Sequence, residues 1–207
     1  MLEFFLNTFI VLFVVLDPVG VAPIFAALTQ GETMEQRRSI ALRGTLIATV
    51  LLFLFALGGH FLLTSMGISL DAFRIAGGVL LFLLAIDMVF ARHSGLRSTT
   101  HGEESEAKQR TDISVFPLAI PLLAGPGAMT TLLLLLGEAQ GDVTLITIVM
   151  TTLTLILVLT YVALIFASQI MGLLGQTGTN VIGRVLGLLL AALAVQYVLD
   201  GLLQQFK

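Results

Sequence analysis

Val14-Val15-Leu16-Asp17-Pro18-Val19-Gly20 and Leu122-Leu123-Ala124-Gly125-Pro126-Gly127-Ala128 each set a proline and a helix-start signal inside a long apolar run. Proline lacks an N–H and clashes with the carbonyl four residues before it, so each one frees a backbone acceptor. Pro18 frees the carbonyl of Val14, Pro23 that of Val19 and Pro126 that of Leu122. Proline also drives its predecessor out of the right-handed α region, which here means Asp17 and Gly125. Asp17-Pro18 therefore reads as an N-cap followed by proline at the first helical position, a helix beginning in mid-run.

The surrounding composition decides the solvent. Of the 207 residues 57% are hydrophobic and 11% charged, and mean hydropathy is +1.04. A soluble domain carries about 25% charged residues, so lipid is the expected surrounding. Six apolar segments of spanning length follow: residues 2–28, 39–63, 72–91, 113–136, 143–168 and 181–203. Residues 92–112 form a polar interval rich in Ser, Gly and charged side chains, and it separates a unit 1–91 from a unit 113–207. Phe4 to Leu16 could pass for the apolar part of a signal peptide. No Lys or Arg precedes it and no A-x-A-like site follows, so it reads as a retained first span.

Lys and Arg set the orientation. Arg37, Arg38, Arg43, Arg92, Arg97, Lys108, Arg110 and Arg184 fall on one side of a six-span arrangement, and Arg74 and Lys207 on the other. This predicts both termini outside and the 92–112 loop in the cytoplasm.

Offset by about 108 to 110 residues, the two units resemble each other. Asp17-Pro18-Val19-Gly20 lies over Gly125-Pro126-Gly127-Ala128, Arg74-Ile75-Ala76-Gly77 over Arg184-Val185-Leu186-Gly187, and Ala85-Ile86-Asp87 near Ala194-Val195-Gln196. Asp71 and Asn180 are the expected caps of the third helix in each unit. Three spans per unit is an odd number, so the second must be inverted, a duplication common in secondary transporters. All five prolines fall in the first and fourth spans, at Pro18, Pro23, Pro117, Pro121 and Pro126. Irregular backbone at mid-membrane depth is tolerated only when buried in protein or lining a cavity. The fold expected is all-α: six transmembrane helices in two inverted three-helix repeats, with broken helices 1 and 4 meeting near the midplane.

Half-helix N-termini carry partial positive charge and favour an anionic group. The candidate substrate site is accordingly Asp17, Pro18, Val19 and Gly20 with Gly125, Pro126, Gly127 and Ala128. Gln196 could line the same cavity. Asp17 is an ionisable group at the centre of a span, a functional candidate by default, and a possible proton carrier. Asp87, a turn inside the end of the third span, is a second proton-coupling candidate or an interfacial ion-pair partner. Arg74 and Arg184 are expected to snorkel to opposite interfaces, and Gly58-Gly59 and Gly77-Gly78 to serve close helix packing.

Several classes find no support. A net charge of −3 argues against a nucleic-acid partner, and with Cys 0 there is no thiolate metal site or thiol catalysis. His60, His93 and His101 share no ligand spacing, so no metal is expected. No H-E-x-x-H, no serine–histidine pair and no paired midplane aspartates of an intramembrane protease are present. An exporter of another small solute and a non-transporting scaffold stay open as alternatives; no cofactor is expected, and the oligomeric state cannot be read.

The stretches Asp17-Pro-Val-Gly-Val-Ala-Pro-Ile-Phe25, Arg74-Ile-Ala-Gly-Gly-Val-Leu-Leu-Phe82 and Phe116-Pro-Leu-Ala-Ile-Pro-Leu-Leu-Ala-Gly-Pro-Gly-Ala128 resemble the signature segments of the MarC family, as do Ala194-Val-Gln196 and Asp200-Gly201. The resemblance covers essentially the whole chain. It implies a bacterial or archaeal inner-membrane protein that moves small neutral amino acids such as glycine and alanine, coupled to protons. It places the site at Asp17, Pro18, Val19, Gly20, Gly125, Pro126, Gly127 and Ala128.

Overall fold

The computed structural model describes residues 1–91 and 113–205, and among these it is all-helical. The 92–112 loop, with the cations Arg92, Arg97, Lys108 and Arg110, lies outside the described residues. Eight segments follow one another: α1 (Leu2–Leu16), α2 (Pro18–Leu28), α3 (Met34–Ser65), α4 (Leu70–Phe90), α5 (Ser114–Leu123), α6 (Pro126–Glu138), α7 (Val143–Ile165) and α8 (Ala167–Gln205). Five helical stretches are long and apolar enough to cross a membrane, counting Leu2–Leu28 as one, and a sixth if Ser114–Leu123 and Pro126–Glu138, bent by 50°, form one broken span.

Polar termini fix where these helices begin. Thr33 and Gln36 cap α3 reciprocally: the Gln36 N–H donates to Thr33 Oγ1 at 3.3 Å, and the Thr33 N–H to Gln36 Oε1 at 2.9 Å. α3 has 32 residues, or about 48 Å at helical rise, against a hydrocarbon core of about 30 Å. Its excess length is the polar first turns, from which Arg37 donates to the carbonyl of Thr29 at 3.1 Å and to Ser168 Oγ at 2.8 Å. That arginine ties the end of α2 to the start of α8.

Two expected caps are corrected. α4 begins two residues earlier than Asp71 implied, because Ser69 accepts from the Ala72 N–H at 3.1 Å. Asn180 begins nothing. α8 is helical from Ala167 and breaks at Gly175, whose φ of 62° and ψ of 179° belong to a region open essentially to glycine.

α3 divides into a buried and an exposed face, whereas α6 is buried on all sides from Thr130 to Leu135. On α3, Leu46, Val50, Leu54, Leu57 and Phe61 form an exposed stripe at helical spacing, while Ala41, Ala48 and Leu52 are fully buried. Water would penalise that stripe heavily; hydrocarbon does not. The buried faces pack mainly across the middle of the sequence. α1 and α2 pack on α7, α3 on α5, α6 and α7, α2 on α8, and α4 on α6 and above all on α8.

Small residues allow the α4–α8 approach. A Cβ at Gly78 would lie 2.8 Å from the carbonyl oxygen of Ala194, one at Gly187 3.2 Å from that of Ala85, and one at Gly201 2.9 Å from that of Asp71. Gly77 instead makes room for Thr130 of α6. Of the other expected pair, Gly59 accommodates Leu133, but Gly58 faces open space and packs on nothing.

Arg74 departs from expectation most. Its side chain is 8% exposed, with the guanidinium 3.8 Å from the Asp71 carboxylate. It turns into the protein rather than out to the interface, because Gly77, Gly78 and Gly201 draw α6 and α8 close over this end of α4. Arg184, its sequence counterpart, is exposed.

Candidate functional site

The first break is a capped one. α1 closes at Asp17, whose N–H donates to the carbonyl of Phe13 at 2.9 Å. Asp17 itself takes φ 45° and ψ 65°, the left-handed basin that Asp visits more readily than most residues. That reversal aims its carboxylate forward over the next helix, where Oδ1 accepts the Gly20 N–H at 2.9 Å. Pro18 follows as the first helical residue, and Val21 donates to the Asp17 carbonyl at 3.1 Å. Asp17 is 1% exposed. A side chain at Gly20 would strike that carboxylate, so the glycine makes the cap possible. Pro18 is buried, and Val19 and Gly20 are half-buried.

The second break is bare. α5 is a wide, irregular helix in which Leu118 donates to the carbonyl of Ile113 and Ala124 to that of Ala119, five residues back in each case. Phe116 and Ile120 are extended, each before a cis proline, Pro117 and Pro121. The chain then runs through extended Gly125, φ −80° and ψ 168°, into Pro126 at the start of α6. No side chain caps this terminus. Met129 donates to the Gly125 carbonyl at 3.1 Å, and the first turn ahead of it consists of Pro126, Gly127 and Ala128.

Pro121, Leu122, Leu123, Gly125, Pro126, Gly127 and Ala128 line a cavity of about 30 Å³, together with Val15 of α1 and Leu80 and Leu84 of α4. That space suits about two waters, so any solute requires the helices to part. Val15 lies two residues before the first break, so the cavity touches both broken spans. Asp17, Pro18, Val19 and Gly20 are not among its lining residues.

Gln196 sits elsewhere, exposed, with Nε2 donating to Asp200 Oδ1 at 2.8 Å. Asp87 is half-buried a turn before the end of α4 and accepts the Ala91 N–H on its carbonyl. Among the described residues no group of His, Cys, Asp or Glu could hold a metal ion. Val15, Leu80 and Leu84 carry no signal in sequence that separates them from any other apolar lining. Pro121 does, as the middle proline of three in one span.

Residues 2–206 match the family described as MarC family integral membrane protein. The chain is 38% identical over 205 residues to a UPF0056 membrane protein of Archaeoglobus fulgidus, covering 99% of this chain and 94% of that one. It is 36% identical over 206 residues to the UPF0056 membrane protein YvbG of Bacillus subtilis, covering 100% and 97%. The match to YhcE of Escherichia coli is 34% over 194 residues, covering 94% and 89%. No solved structure matches. A family match over nearly every residue, on a chain whose apolar helices are built for a bilayer, has one meaning: this protein belongs to the MarC family of integral membrane proteins.

Proposed function

We propose that the protein is a secondary transporter of small neutral amino acids, glycine- or alanine-sized, driven by protons and working by alternating access in the inner membrane. The reading rests chiefly on one observation, the uncapped start of α6 at Gly125-Pro126, which lines a cavity within an apolar span. A helix N-terminus without a side-chain cap favours a carboxylate. Gly127 and Ala128 offer N–H groups with almost no side chain in front of them. Leu80, Leu84 and Val15 close the rest with apolar surface, which leaves room for a methyl group but little more.

Asp17, buried at the other break, takes the substrate ammonium or carries the coupling proton. A carboxylate has about four acceptor sites, so its bond to Gly20 is compatible with either task. Asp87 is the second candidate for proton transfer. Gln196, at its present position, would meet substrate only along the route.

The packing pattern supports an inverted duplication. Under the sequence offset, α1 corresponds to α5, α2 to α6, α3 to α7 and α4 to α8. The α1–α7 contact then matches α3–α5, α2–α7 matches α3–α6, and α2–α8 matches α4–α6, while α4–α8 maps onto itself. Such halves rock about a fixed midplane site. The positive-inside count supports both termini outside and the 92–112 loop in the cytoplasm. No chemistry of bond cleavage is proposed, and no cofactor.

The test is uptake of labelled alanine and glycine into proteoliposomes under an imposed pH gradient, for the wild type and Asp17→Asn. Gradient-driven accumulation by the wild type, lost in the variant while the protein stays monodisperse, is expected. Wild-type vesicles that accumulate no more than protein-free ones would end the proposal.

A further inference from the structure

α3 runs along both pieces of the broken fourth span. Towards its start, a Cβ at Gly44 would strike the Leu118 side chain of α5 and lie 3.1 Å from the Ser114 carbonyl oxygen. Towards its end, a Cβ at Gly59 would lie 2.8 Å from Leu133 Cδ1 of α6. α3 therefore bridges the break at Gly125. Any change in the angle between α5 and α6 loads α3 between these two contacts.

Gly58 lies in that interval, beside the second contact. It is exposed, and a Cβ there would meet nothing within 4 Å. Glycine in a helix interior weakens it relative to alanine. At Gly44 and Gly59 close packing offsets that weakness; at Gly58 nothing does. Paired glycines are among the few places where a long helix bends sharply.

The second unit shows the corresponding helix already divided. Thr33 caps α3 and Asp142 caps α7. Each stretch closes at a positive-φ glycine, Gly67 at 71° and Gly175 at 62°. Between those marks the two agree in length to within one residue. The first is one helix, Met34–Ser65; the second is two, because α7 ends at Ile165 and α8 begins at Ala167. With Thr33 set on Asp142, Phe166 falls on Leu57, Ala167 on Gly58 and Ser168 on Gly59. The fastenings beyond the two points correspond as well. Ser168 is tied through Arg37 to the Thr29 carbonyl at the end of α2, and Gly59 packs on α6, the counterpart of α2.

We propose that Gly58 is a hinge in α3, the counterpart of the discontinuity at Phe166, and that α3 bends there as α5 and α6 move about Gly125. The two units are then held in unlike states, one with its long helix unbroken and the other with it divided. Exchanging those states between inverted units turns the access to a fixed site from one face to the other. That consequence rests on the transport reading; the hinge itself does not.

Hydrogen exchange on the purified full-length protein in detergent, followed by mass spectrometry, reads local opening of α3 directly. Peptides covering residues 57–63 should exchange about tenfold faster, or more, than those covering 46–52. Gly58→Ala should slow the first set about fivefold, leave the second unchanged and raise the unfolding midpoint. Equal protection of the two stretches, or a rate that Gly58→Ala does not change, would overturn the hinge whether or not the protein transports. In proteoliposomes Gly58→Ala should lower alanine counterflow about fivefold, although the new methyl group touches nothing. Gly58→Ala/Leu57→Gly should restore it, since Leu57 is 80% exposed and its loss removes no packing. A stabilised Gly58→Ala with undiminished counterflow would overturn the hinge's part in transport. A wild type without counterflow would defeat the transport reading, and the exchange rates alone would then decide the hinge.

Discussion

Two helices start in the middle of long apolar stretches in this protein, and they solve the same problem differently. At Asp17-Pro18 the chain supplies its own anion, a buried carboxylate bonded to Gly20. At Gly125-Pro126 it supplies none, and the terminus borders a cavity instead. A buried helix end without a partner is costly. The capped break is therefore complete as it stands, whereas the bare one, with Pro126 exposed and Gly125 and Gly127 half-buried, is open to water or to an anion. Stability should be concentrated at the first break and recognition at the second.

That division can be broken by exchanging small residues between the two sites. The largest effect is expected at Gly127→Ala. Its Cβ would meet Leu81 Cδ2 at 2.8 Å and Leu84 Cδ2 at 3.8 Å, the far ends of flexible side chains that can move. Folding should survive, while alanine uptake falls by about tenfold or more and glycine uptake by less. Equal losses for both substrates would separate the cavity from selectivity.

Gly20→Ala should do the reverse. Its Cβ would displace the Asp17 carboxylate, at a cost of about 1–3 kcal/mol, visible as a lower unfolding midpoint in detergent. Asp17→Asn keeps a capping oxygen and should remain close to wild type in stability, whereas Asp17→Ala should lose about 1 kcal/mol. An indifferent midpoint in the alanine variant would mean that the cap contributes nothing.

The smallest effect sharpens the comparison from outside the membrane. Asp142 caps α7 through the N–H groups of Thr144 at 2.7 Å and Leu145 at 3.3 Å. The Thr144 bond first, then that of Leu145, holds its carboxyl below the usual carboxylate range. A lowered value means that its contribution is present above the ordinary aspartate range and is lost as pH falls through the lowered one. The gap in unfolding midpoint between wild type and Asp142→Ala should therefore close on acidification. A gap independent of pH would show that the charge has no part in this cap.

Much of this was legible in the residues because proline and aspartate act locally. Asp17 before Pro18 announces a cap and a helix start with no tertiary information, and the apolar runs announce spans by length alone. Cap choice was less legible where two polar residues compete: Ser69 and Asp71 stand two positions apart, and the turn geometry selects the serine. Asn180 looked like a start because it resembles a cap, yet the chain breaks at Gly175, five residues earlier, where glycine takes the extended positive-φ conformation observed. Arg74 was the hardest. A cation at the end of a span ordinarily reaches for water, and only the glycine-mediated approach of α6 and α8 buries it. The cavity wall of Val15, Leu80 and Leu84 is a product of packing, with no sequence mark of its own.

The most direct measurement is counterflow of labelled alanine in proteoliposomes preloaded with unlabelled alanine, with no ion gradient, for the wild type and Gly127→Val. Exchange by the wild type and its loss in a variant that still elutes as folded protein is the predicted result. Exchange undiminished in Gly127→Val, or none in the wild type, would contradict the claim that the bare start of α6 is where the solute binds.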